Sequence, residues 1–297
     1  MSKKFHFSIV TLNKLIFYLF TPSYIFYNLY TTDLSLDMLN ILFFSIAFLA
    51  ANHFLAIIMA RIRGYDRALT NAFRNAIMFN NSGNIGLSLI TLVFGGAPYL
   101  INGTAPYLND ALAAQVIVMV FMNVTINTIG IYNAGCAQNG GKKALLKIFT
   151  MPSIYTVPLA LLLKYLKIDI TGVPVWSSIV FIKGGLVPMA LLTLGVQLSI
   201  TEFNFKNLDA NLAALTRILA GPAMALVLIR IFGFSGIIAQ TMLISCSVPT
   251  AVNTVLVAVE CDNHPGFAAQ EVMVSTIYSS VTLSLAIYLA RVLFPIS

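Results

Sequence analysis

The stretch Phe79-Asn80-Asn81-Ser82-Gly83-Asn84-Ile85-Gly86-Leu87-Ser88 lies in the middle of an apolar run. Glycine weakens a helix by about 1 kcal/mol relative to alanine, and asparagine competes for backbone hydrogen bonds. In hydrocarbon, each freed N–H or C=O group costs several kcal/mol unless protein or water satisfies it. The stretch therefore predicts a helix that breaks where it faces a cavity or another polar segment. A second stretch, Ser245-Cys246-Ser247-Val248-Pro249-Thr250-Ala251-Val252-Asn253-Thr254, predicts a second break. Pro249 lacks an N–H and would clash with the carbonyl of Ser245. Asn253 follows four residues later, within reach of the freed groups.

Composition supplies the hydrocarbon. The chain has 297 residues, 59% hydrophobic and 9% charged, with a mean hydropathy of +0.88. Soluble domains are about 45–50% apolar and about 25% charged. These values exclude a soluble enzyme, a disordered chain and a nucleic-acid-binding domain. They leave an all-α polytopic membrane protein. The net charge of +7 sits mostly in short loops rather than on one basic face. The apolar runs are too long and continuous for a transmembrane barrel. Cys136, Cys246 and Cys261 follow no paired motif, so neither a disulfide framework nor a metal site is expected, and no cofactor motif is present.

A hydrocarbon core about 30 Å thick takes roughly 20 apolar residues per helix. Nine segments qualify: residues 8–30, 38–60, 67–94, 110–133, 144–166, 174–199, 211–233, 235–260 and 267–294. No linker divides residues 1–297, which read as one membrane transport domain. The first segment reads as a retained helix, because Lys14 interrupts it and no small-residue cleavage site follows. Lys and Arg fall unevenly between the two sides. Twelve lie on the side of the N-terminus: Lys3, Lys4, Lys14, Arg61, Arg63, Arg67, Arg74, Lys142, Lys143, Lys147, Lys206 and Arg217. Four lie on the other, Lys164, Lys167, Arg230 and Arg291. This bias predicts a plasma-membrane protein with a cytoplasmic N-terminus and an outside C-terminus. The loop 261–266 departs from it, having no Lys or Arg.

The two breaks fall in the third and eighth spans, five apart. Paired interrupted segments in corresponding positions of two halves are the best sequence pointer to a transporter binding site. Other features recur at the same offset. Pro22 sits inside the first span after Leu12-Asn13-Lys14-Leu15-Ile16. Pro188 sits inside the sixth after Lys183-Gly184-Gly185-Leu186-Val187. Residues 1–133 and 144–297 thus read as two repeats, of four and five spans. The odd offset inverts the second repeat, and the first lacks an opening helix. The expected architecture is an inverted-repeat transporter with two crossed broken helices. Half-helix N-termini carry partial positive charge and free N–H groups, so two of them meeting at the midplane bind an anion without Lys or Arg.

Asn81-Ser82-Gly83-Asn84-Ile85-Gly86-Leu87 resembles the first crossover of the auxin efflux carrier family, which includes plant PIN-type carriers and bacterial malate or malonate permease-like proteins. Ser247-Val248-Pro249-Thr250-Ala251-Val252-Asn253 resembles its second crossover. Pro188-Met189-Ala190-Leu191-Leu192-Thr193-Leu194-Gly195 and the tail from Glu271-Val272-Met273-Val274-Ser275-Thr276 resemble two further helices of the family. The resemblance implies ten helices in two inverted repeats. It also implies a moving bundle that carries the crossovers in an elevator-type or rocking cycle, and scaffold helices that often dimerise. This chain would then lack the family's first helix, which turns an outside N-terminus into an inside one. Ser88 stands where the family often has a proline.

By this resemblance, a small organic anion, probed best as a mono- or dicarboxylate, binds near Asn81, Gly83, Asn84, Gly86, Pro249 and Asn253. His53, Asn123, Asn127 and Lys183 are accessory candidates. His53 and the pair Asn123 and Asn127 serve equally well as interhelical hydrogen bonders. Lys183 either attracts the anion or snorkels, and Arg74 is expected to snorkel. Asp110, Glu260 and Glu271 are expected near helix ends, with no buried acid at either crossover. That pattern argues against the alternatives, a bile-acid/sodium-symporter-like or sodium–proton-antiporter-like carrier. An inactive truncated carrier is the other alternative. No enzyme is expected. The chain has no Asp-rich metal motif, and Gly86-Leu87-Ser88 lacks the following Gly of an intramembrane serine protease.

Overall fold

A computed structural model describes residues 8–31, 39–135, 146, 149–200 and 206–296. Lys3, Lys4, Lys142, Lys143, Lys147, Cys136 and the start of the fifth expected span lie outside the described residues. The helices are α1 (Ile9–Thr31), α2 (Leu39–Arg63), α3 (Arg67–Met78), α4 (Ser82–Phe94), α5 (Leu108–Gly135) and α6 (Ser153–Tyr165). They continue with α7 (Pro174–Gly184), α8 (Leu186–Ile200), α9 (Leu208–Ile231), α10 (Gly236–Ser247), α11 (Asn253–Glu260) and α12 (Pro265–Leu293). The described residues hold no strand, only two isolated bridges.

Among the described residues six helices are long and apolar enough to cross a membrane: α1, α2, α5, α9, α12 and the run Pro174–Thr193 through α7 into α8. Three shorter apolar helices, Ser82–Phe94, Ile154–Tyr165 and Gly236–Ser247, fall in the third, fifth and eighth expected spans. The chain is an all-α polytopic membrane protein. Its outer surface is apolar, as a lipid-facing surface must be. Phe54, Ile62, Leu92, Phe181 and Val281 are all exposed.

Local chemistry sets the helix ends and bends. Asp66 caps α3 by accepting from Leu69 N, and Asn207 caps α9 by accepting from Asp209 N and Ala210 N. Pro174 and Pro265 open α7 and α12, where their missing N–H is not needed. Within α1 and α9 one turn widens, at Ile16–Phe20 and Thr216–Ala220. Pro22 and Pro222 follow these turns. A proline cannot donate to the carbonyl one turn back, and the widened turn makes room for its ring.

The main core joins Phe44 and Phe48 of α2, Ile90 and Phe94 of α4, Val118 and Met122 of α5, Met242 and Leu243 of α10, and Val255 and Leu256 of α11. A smaller cluster packs Ile25, Phe26 and Leu29 of α1 against Ala160 of α6. The broken pairs α3/α4 and α10/α11 run through the packed interior.

Candidate functional site

The two breaks meet, and each satisfies the backbone of the other. Asn81 N donates to Pro249 O at 2.8 Å, and Ala251 N donates to Phe79 O at 3.0 Å. Asn80 and Thr250 face each other as an isolated antiparallel bridge. Asn80 Nδ2 also donates to Ser245 O at 2.8 Å. Two segments 170 positions apart (Asn80 to Thr250) thus exchange the groups that each helix gave up. This pairing is why irregular backbone is tolerable at membrane depth.

Behind the crossing lie the C-terminal ends of α3 and α10. The last carbonyls of a helix have no partner within it. Arg217, projecting from the widened turn of α9, supplies one. Its Nη1 donates to Ile77 O at 3.0 Å, its Nη2 to Cys246 O at 2.6 Å and its Nε to Val248 O at 3.4 Å. Nη1 also reaches Asn52 Oδ1 of α2 at 3.4 Å. Arg217 is 0% exposed, the largest fully buried side chain among the described residues. A buried charge costs several kcal/mol in lost hydration. Two helix C-terminal ends, each worth roughly −0.5 charge, face it and offset that cost. Gly221 lets α10 come close: a Cβ there would lie 3.1 Å from Cys246 O. Thr250 serves another orphan of α3, with Oγ1 2.8 Å from Ala76 O.

In front of the crossing lie the N-terminal ends of α4 and α11. Asn81 caps α4, its Oδ1 accepting from Asn84 N at 3.3 Å. A small cleft opens here. Asn80, Asn81, Ser82, Gly83 and Asn84 line it from the first break, and Ala251, Val252 and Asn253 from the second. Asn123 joins from α5, where its Oδ1 accepts from Asn253 Nδ2 at 3.3 Å. Phe79, Met122, Ile126, Leu186 and Ala190 form the apolar wall, with Tyr24 at the edge. Among the described residues no Lys or Arg lines the cleft. Its positive character comes from amide donors and two helix dipoles, which suit an anion of modest size.

The profile of the membrane transport protein family matches residues 7–138 and 137–287. The chain belongs to that family. It is the auxin efflux carrier group that the crossover motifs resemble. The transporter is also similar to an uncharacterized transporter of Methanothermobacter thermautotrophicus, 23% identical over 277 residues, covering 93% of this chain and 87% of that one. A second similar protein is an uncharacterized transporter of Methanocaldococcus jannaschii, 22% identical over 149 residues, covering 49% of this chain and 48% of that one.

The transporter brings five of the ten expected residues into the cleft: Asn81, Gly83, Asn84, Asn123 and Asn253. The other five serve elsewhere. Gly86 packs against Gln115, whose Nε2 donates to Ser82 O at 2.6 Å and would lie 2.5 Å from a Cβ at position 86. Pro249 contributes its carbonyl to Asn81 N within the crossing. Asn127 donates to Asn123 O at 2.7 Å and lines a separate apolar hollow beside Pro158. Lys183 lies over the ring of Tyr27, 3.2 Å from its centroid. His53 Nδ1 lies 3.2 Å from Arg74 Nη2.

Three expectations are corrected. Arg74 does not snorkel: it also donates to Asn71 Oδ1 at 2.8 Å and Asn133 Oδ1 at 3.0 Å, tying α3 to α5. Arg217 is no loop charge but the buried clamp of both breaks, which leaves eleven of the twelve residues assigned to the N-terminal side. Glu271 does not sit at an exposed helix end. It is 0% exposed, and its Oε1 lies 2.8 Å from Thr250 Oγ1 in the second break. A buried acid therefore stands at a crossover after all. Position within the apolar run was the available signal for both, since each lies more than one turn inside its helix.

Proposed function

We propose that this transporter is a secondary carrier of a small organic anion, a mono- or dicarboxylate, held at the crossed breaks in an alternating-access cycle. The observation that carries this reading is the convergence of two half-helix N-termini and the amides of Asn81, Asn84, Asn123 and Asn253 on one cleft that no Lys or Arg lines. A carboxylate there accepts from side-chain amides and backbone N–H groups, while the apolar wall receives the rest of the molecule. The pairing of broken helices supports two inverted repeats, 1–133 and 144–297, that exchange access by an elevator or rocking motion. On this reading the carrier lies in the plasma membrane with its N-terminus cytoplasmic, and its scaffold helices form a homodimer. The buried Glu271 favours a second reading, in which a cation is coupled to the anion as in the sodium- or proton-coupled relatives of this architecture.

The test is counterflow uptake of a radiolabelled carboxylate panel, including malate and malonate, into vesicles holding the purified protein. At least one carboxylate is expected to accumulate, and Asn84→Ala and Asn253→Ala are expected to abolish its uptake. His53→Gln and Lys183→Gln, outside the cleft, serve as controls with uptake retained. Full uptake by Asn84→Ala and Asn253→Ala would place the substrate elsewhere.

A further inference from the structure

The second break carries a hydrogen-bond arrangement that one hydroxyl cannot complete alone. Thr250 Oγ1 lies 2.8 Å from Ala76 O and 2.8 Å from Glu271 Oε1. A hydroxyl has one proton to donate, and a backbone carbonyl can only accept. When Thr250 donates to Ala76 O, the second short contact needs a proton from the carboxyl. Glu271 is fully buried, and the neighbouring Ser275 hydroxyl has its own acceptor in Val272 O at 3.2 Å. A carboxyl shut away from water suits the neutral acid far better than the carboxylate. Arg217 does not require Glu271 as a counter-ion, since its donors are spent on carbonyls at two helix C-terminal ends.

We propose that Glu271 is a proton-binding site whose proton ties the last helix to both breaks. In the protonated form Glu271 Oε1–H donates to Thr250 Oγ1, and the Thr250 hydroxyl donates to Ala76 O. One chain of bonds then joins α12, the second break and the end of α3. When the proton leaves to water, the Thr250 hydroxyl turns to the carboxylate and Ala76 O loses its donor. The crossing is loosened at that point, next to the cleft.

Other charged and titratable groups stand on α12 and the helices packed against it. Arg217 of α9 attracts Glu271, and the buried Cys246 thiol of α10 lies near that same arginine. Asp209 of α9 is held by Arg63 and Tyr65, Arg230 lies over the Phe294 ring, and Arg74 of α3 is held by Asn71, Asn133 and His53. Glu260 of α11 accepts from Asn13, and Arg291 of α12 itself lies over the Tyr99 ring. α8 offers no titratable side chain. The proton site stands without the anion-carrier reading; its coupling to transport rests on that reading.

The test is infrared difference spectroscopy of the full-length protein in lipid nanodiscs, stepped in pH, with size exclusion confirming that each sample stays folded. Wild type is expected to show a protonated-carboxyl band that Glu271→Gln lacks and that disappears as pH rises. Thr250→Val is expected to keep the band and move it to higher frequency, because the carboxyl loses its acceptor. Identical carboxyl bands in wild type and Glu271→Gln overturn the site, and an unmoved band in Thr250→Val overturns the relay. A band that persists at every pH supports occupancy and overturns release. In vesicles, a pH gradient is expected to drive malonate uptake by wild type and not by Glu271→Gln. If wild type moves no malonate at all, the carrier reading suffers, while the infrared result still decides the proton site.

Discussion

Replacing Arg217 with Met isolates what the buried cation contributes. The substitution keeps most of the side-chain volume and removes every donor. Two of its four bonds are well made, to Cys246 O at 2.6 Å and to Ile77 O at 3.0 Å. The two at 3.4 Å, to Val248 O and Asn52 Oδ1, are long enough to count for little. Leaving two buried carbonyls unpaired costs about 1–3 kcal/mol each, a total of about 2–6 kcal/mol. At about 2–4 °C per kcal/mol, the apparent Tm is expected to fall by about 4–24 °C. The single Trp176 and the twelve tyrosines provide a fluorescence signal for the melt in detergent. Arg217→Lys restores the charge without the forked donors, and its Tm is expected between the two. Arg61→Met, at an exposed position on α2, is the control and is expected to melt with wild type. A Tm for Arg217→Met within about 2 °C of wild type would refute the reasoning, because it would mean the helix ends are not held by this side chain.

Two further outcomes follow from the same geometry. Gly86→Ala puts a Cβ 2.5 Å from Gln115 Nε2, so the amide end must swing away from Ser82 O and stability is expected to fall by about 1 kcal/mol, read as a lower Tm. Gly83→Ala meets nothing nearer than Met119 Cγ at 3.6 Å, so it is expected to melt normally while weakening uptake of the carried carboxylate.

Both breaks were legible because their residues are locally wrong for a helix. Gly83, Gly86 and three asparagines open one, and Pro249 opens the other. That the breaks pair with each other, Asn81 to Pro249 and Phe79 to Ala251, depends on contacts about 170 positions apart, which local spacing does not encode. The cleft residues Asn81, Gly83, Asn84 and Asn253 were found for the same reason as the breaks: they stand at the new helix starts. Gly86 and Pro249 share the motifs but face a neighbouring helix or the crossing instead. Arg217 and Glu271 were misplaced by a rule that treats charges as loop residues. Both lie in long apolar helices whose depth in the bilayer sets the cost of a charge. α12 runs for 29 residues, longer than the hydrocarbon core requires, so the start of the helix says little about depth. Only the carbonyls of α3 and α10, brought behind the crossing, show why a cation belongs at position 217.

The proposed anion site lies in front of the two half-helix N-termini. Maleimide labelling of Gly83→Cys in vesicles, measured over the wild-type background, reads that place directly. A carboxylate carried by the protein is expected to slow labelling at position 83, and a carboxylate it does not carry to leave the rate unchanged. Transport of a carboxylate by the labelled variant's vesicles with no protection at position 83 would contradict this placement.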